Sequence, residues 1–93
     1  MSNKFLLKDD ELKDVVGGVN PSIFIYEGEL NTANIPLRKE PDANAEVIEV
    51  LALYTGIGVI ELNCGGGFVG CYAKGKKHVL QGYIQEQYIT KTK

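Results

Sequence analysis

Tryptophan is missing from this chain altogether, while histidine and methionine occur once each, cysteine twice and proline three times in 93 residues. With His78 as the single histidine and no serine beyond Ser22, a Ser-His-Asp arrangement would have to take its nucleophile from Ser22. Cys64 or Cys71 with His78 would make a nominal nucleophile and base, but a cysteine at a strand position is more often a small buried hydrophobe. Two cysteines and one histidine without a compact ligand motif also fall short of the tetrahedral set of a structural zinc site. These shortages argue against an enzyme and imply neither a cofactor nor a metal. Long apolar runs are missing as well: Phe5-Leu6-Leu7 is far short of the roughly 7–15 residues of a secretory hydrophobic region. No run approaches the roughly 18 apolar residues of a membrane span, so no membrane anchor is expected.

Charge of one sign is also lacking. Ten basic residues face twelve acidic ones. Lys4, Lys8 and Lys13 stand against Asp9, Asp10, Glu11 and Asp14 near the N-terminus, which leaves the rest of the chain nearly neutral. That balance offers no electrostatic case for nucleic acid or an anionic membrane surface. Lys74, Lys76 and Lys77, interrupted by Gly75, read as a solvated turn. The length suits one domain, and a domain this small buries only about 60% of its unfolded surface.

What is present divides the chain in two at Val15-Val16-Gly17-Gly18. Upstream, Phe5, Leu12, Val15 and Val16 fall within one stripe at 3.6 residues per turn, with no glycine or proline before Gly17. Asp14 near the end of such a helix opposes its dipole, and about a dozen residues are marginal as an isolated helix. The segment therefore reads as flexible or nascent-helical until it docks on something. Leu7, Glu11, Leu12, Val15, Gly17 and Gly18 resemble, in register, the double-glycine leaders of bacteriocins and peptide pheromones, with Lys8 where a serine is common. The resemblance implies recognition of Leu7, Glu11, Leu12 and Val15 by the cysteine peptidase domain of a dedicated ABC exporter. Cleavage would then follow Gly17-Gly18, before Val19, because a narrow channel must accept bare extended backbone. The alternative is a surface helix that ends on a glycine cap.

From Ser22 onward the texture is β, with short runs of Val, Ile, Tyr and Phe between Gly, Pro and Asn-Asp clusters. Strands are expected near Ser22 to Glu27, Asn34 to Arg38, Glu46 to Leu51, Ile57 to Leu62, Phe68 to Ala73 and His78 to Ile84. Ile35 and Leu37 alternate with Pro36 and Arg38 as in a half-buried strand, where Pro36 needs an edge or a bulge. Ile57, Val59, Ile60 and Leu62 do not hold one phase, so a bulge is expected near Gly58 or Val59. The pattern predicts an all-β fold, a small barrel or two packed sheets.

Ile35-Pro36-Leu37-Arg38-Lys39-Glu40-Pro41, Glu46 to Leu51, and Gly82-Tyr83-Ile84 followed by Tyr88-Ile89 resemble the bacterial SH3-type domains over about Ile23 to Thr90. That resemblance implies an SH3-like barrel of five to six short strands over residues 19–93, behind a leader at 1–18. It also implies a non-enzymatic module that is secreted or held at the cell surface and binds peptidoglycan stem or cross-bridge peptides, or an extended protein segment. Phe68 takes the place of the family's central tryptophan. Tyr26, Tyr54, Tyr72, Tyr83 and Tyr88, with Phe68, are the aromatic candidates for ligand contact. Tyr54 is the preferred exposed one, and Asn31, Asn34 and Glu29 are possible polar contributors. Leu62 to Cys71 reads as a hairpin with a glycine-rich loop, in which Cys64 and Cys71 form either a disulfide or one buried and one loop thiol. A bacteriocin or toxin-like effector, and an intracellular SH3-like adaptor with an uncleaved N-terminal helix, are the rival readings.

Overall fold

The computed structural model describes residues 21–92; the leader positions Leu7, Glu11, Leu12, Val15, Gly17, Gly18 and Val19 lie outside the described residues. Apolar and polar residues alternate into seven strands: β1 (Tyr26–Leu30), β2 (Ile35–Arg38), β3 (Val47–Leu51), β4 (Gly56–Glu61), β5 (Phe68–Lys74), β6 (Val79–Gln85) and β7 (Ile89–Lys91). They form one antiparallel sheet in the order β3-β2-β6-β5-β4-β1-β7. Short 3-10 turns occupy Pro21–Ile23 and Glu86–Tyr88.

The sheet is rolled. Leu51 of β3 and Leu30 of β1 share one cluster with Ile35, Leu37, Ile57, Val59, Val69, Cys71, Ala73 and Ile84. In a flat sheet β3 and β1 would lie roughly 24 Å apart, at about 4.8 Å per strand. Only curling brings them round a common core. The turn between β3 and β4 completes the curl, with Tyr54 N–H donating to the Leu30 carbonyl and Leu30 N–H donating to that of Thr55, both at 3.0 Å. The expected small all-β barrel is present, and none of its described helices is long and apolar enough to cross a membrane.

The first and last strands depart most from the sequence reading. The first strand begins at Tyr26 and not Ser22, because Pro21–Ile23 turns and leaves Ile23 and Ile25 half exposed. A seventh strand, β7, exists because Leu30↔Ile89, Glu29↔Thr90 and Gly28↔Lys91 pair across the barrel. Three residues with that pairing carry no periodicity of their own. The phase slip in β4 is absorbed where a bulge was expected, by a register shift that begins at Val59 and runs to Glu61. β2 meets β6 only at Arg38↔Tyr83, so Pro36 has no β6 partner to lose, and a register shift against β3 follows at Leu37/Arg38.

At Gly82 β6 lies hard against β2: a Cβ there would stand 2.7 Å from the Arg38 carbonyl oxygen and 2.9 Å from Leu37 Cγ. Gly82→Ala is therefore expected to lower stability by about 1–3 kcal/mol through overpacking. Leu37→Ala, which empties a fully buried site, should cost about 2–5 kcal/mol. Urea denaturation measures both, and an unchanged midpoint for Gly82→Ala would refute the contact.

Candidate functional site

The glycine-rich loop builds one end of the candidate site. Gly65, Gly66 and Gly67 all have positive φ, at 107°, 60° and 81°, a run that side-chain-bearing residues rarely sustain. The loop closes with Phe68 N–H donating to the Gly65 carbonyl (2.9 Å) and Cys64 N–H to that of Phe68 (3.1 Å). It then accepts a hydrogen bond from Glu86 N–H at the Gly67 carbonyl, 2.8 Å, which docks the Glu86–Tyr88 turn beside Phe68.

Phe68 is only 5% exposed, yet it is not part of the core cluster. It is buried instead at a groove of about 230 Å³, whose other lining residues are Asn34, Ile35, Pro36, Arg38, Ala43, Gln85 and Tyr88. Register explains the convergence: Phe68 lies opposite Gln85, and β2 buries Ile35 and Leu37 while leaving Pro36 and Arg38 half-buried. A rigid proline, two aromatic rings and a few polar groups in a shallow concavity suit an extended peptide. A larger hollow of about 390 Å³ lies between β3 and the turn after β5, lined by Glu49, Val50, Lys74 and Lys76 among others, with no aromatic wall.

The groove is braced from behind. Tyr26 Oη donates to Glu86 Oε2 at 2.8 Å, and Lys91 Nζ sits 5.0 Å from the centroid of the Tyr26 ring. Burial, and then the Glu86 carboxylate that accepts its proton, push the Tyr26 pKa upward. Asn31 Nδ2 donates to the Gln87 carbonyl (3.1 Å) and to Thr90 Oγ1 (3.3 Å), while its N–H donates to the Tyr88 carbonyl at 2.9 Å. Arg38 Nη1 donates to the Ala45 carbonyl at 2.8 Å, tethering the connection between β2 and β3.

Of the aromatic candidates, Phe68 and Tyr88 come together in the groove, with Asn34 beside them. Tyr26 and Asn31 support the Glu86–Tyr88 turn without lining the groove. Tyr54 is 67% exposed in the turn after β3, with a left-handed φ of 69°, and stands apart from it. Tyr83 lines a separate hollow with Lys39, Glu61 and Gly70. Arg38, Pro36, Gln85 and Ala43 had not been read as site residues. The alternation that buries Ile35 and Leu37 already placed Pro36 and Arg38 on the opposite face, but which face carries a groove depends on where the Glu86–Tyr88 turn lands.

Cys64 and Cys71, weighed as a disulfide pair, are both free thiols, Cys64 half-buried and Cys71 buried in the core. Burial pushes the Cys71 thiol up to about 12. Partial burial and the neighbouring Glu61 raise Cys64 as well, and its Sγ lies 3.8 Å from the Glu61 carbonyl. Raised thiols are poor nucleophiles. Mass spectrometry after iodoacetamide treatment of the reduced protein should therefore find slow modification at Cys64 and none at Cys71 until the chain is unfolded. Because Cys71 holds its proton more tightly when folded, its contribution is complete below the ordinary value of 9.0 and is lost as pH rises toward about 12. Urea midpoints should fall across that interval, and fall less in Cys71→Ala.

In comparison with known proteins, no family model matches the chain, and neither does any curated protein or solved structure.

Proposed function

We propose that this chain is an exported, non-enzymatic binding module of the bacterial SH3 type. In this reading residues 1–18 are a double-glycine leader, removed after Gly18 by the peptidase domain of an ABC exporter. The barrel over residues 19–93 then acts outside the cell or at its surface. It holds an extended peptide, from peptidoglycan or from a partner protein, in the groove between β2, the start of β5 and the Glu86–Tyr88 turn. The observation that carries the reading is Phe68: a large aromatic side chain removed from water yet apart from the main core cluster, at the wall of an open concavity beside Tyr88 and Pro36. Against catalysis stand the exposed position of His78 in the turn after β5 and the raised thiols.

Two measurements test the two halves separately. Co-expression with a double-glycine exporter should release a product whose intact mass begins at Val19; precursor retained intact beside a demonstrably active exporter would remove the leader. Titration of soluble peptidoglycan peptides into the isotope-labelled protein should shift the amide resonances of Phe68, Gln85 and Tyr88. Tyr88→Ala should weaken binding by about tenfold or more, the usual effect of truncating an aromatic anchor. Shifts confined to Tyr54 or to the Lys74–Lys76 hollow would relocate the site.

A further inference from the structure

Among the described residues, Arg38 is the one charged residue lining the groove. It is half-buried, and none of the described carboxylates forms an ion pair with it. Of the acids closest in sequence, Glu40 is exposed and forms no ion pair among the described residues, Glu46 pairs with Lys39 at 3.4 Å, and Asp42 Oδ1 accepts from Asn44 N–H at 2.8 Å. The guanidinium has five N–H donors, of which the Ala45 carbonyl takes one at 2.8 Å. That tether costs the side chain its rotamer freedom in advance and leaves the rest of a planar fork free. Such a fork matches a carboxylate in bidentate fashion, and a cation withdrawn from water gains most from a partner that neutralises it.

We propose that Arg38 receives a carboxylate of the bound peptide, with the neighbouring residues seated against Phe68, Tyr88 and Pro36. This rests on the reading of the groove as a peptide site. It narrows the ligand: peptides bearing a free carboxylate, as peptidoglycan stems do, are bound, and neutral glycine cross-bridge peptides are not.

The test compares three probes on the unmodified protein by calorimetry and amide shifts: a stem pentapeptide with free carboxylates, the same peptide amidated, and amidated pentaglycine. The free acid should bind at least tenfold more tightly than either carboxylate-free probe, with a preference that shrinks as salt is raised. In Arg38→Gln the acid and the amide should bind alike, and Arg38→Lys should restore part of the preference, since charge returns without the fork. Equal binding of acid and amide to the unmodified protein would overturn the role of Arg38 while leaving the groove in place. No shift at Phe68, Gln85 or Tyr88 with any probe would overturn both. The comparison on the unmodified protein stands even if Arg38→Gln loosens the chain at Ala45.

Discussion

The ladder between β5 and β6 is the constraint on which the remaining structure depends. Seven residue pairs, from Phe68↔Gln85 to Lys74↔Val79, lock two strands in the middle of the sheet. This register turns Val69, Cys71, Ala73 and Ile84 toward the core. A slip by one residue would send that apolar set to the outer face. The same register places Phe68, at the start of β5, opposite Gln85, at the end of β6, so the packing that closes the core also positions the groove. Fold and candidate site are thus two faces of one pairing pattern.

The groove adds a second condition, the docking of a short turn on a glycine loop. Glu86 N–H on the Gly67 carbonyl, Tyr26 on the Glu86 carboxylate, and Asn31 on Gln87 fix the Glu86–Tyr88 turn from three sides. Asn31 N–H adds a second backbone bond, to the Tyr88 carbonyl. A turn of three residues has little stability of its own, so Tyr88 faces the groove because distant parts of the chain hold it there. Binding surfaces carried on a scaffold in this manner separate the architecture from the ligand, and the peptide reading belongs to the site and not to the barrel.

Much of the scaffold was legible along the chain. Five of the strands lie within a residue or two of their expected places, because alternation in Ile35-Pro36-Leu37-Arg38 and its counterparts is a local property. The irregularity in β4 announced itself as a phase slip among Ile57, Val59, Ile60 and Leu62, and the register shift begins at Val59. β7 and the start of β1 were not legible, since three paired residues and a turn at Pro21–Ile23 are decided by contacts across the barrel. The aromatic candidates were separated by the same kind of contact: Phe68 and Tyr88 meet, Tyr26 braces, and Tyr54 and Tyr83 point to other surfaces.

By itself, the sequence determined that the described part would be β-rich, as a small barrel or two packed sheets, because period-2 alternation and turn residues act over a few neighbours. It also carried the Gly17-Gly18 pattern, on which the leader reading rests wholly. The tertiary structure decided that Phe68 would be buried apart from the main core cluster, that Arg38 would line a groove with no carboxylate paired to it among the described residues, and that both cysteines would stand as free thiols. Each of those outcomes depends on which strands become neighbours, and neighbours far apart in the chain leave no mark in local periodicity.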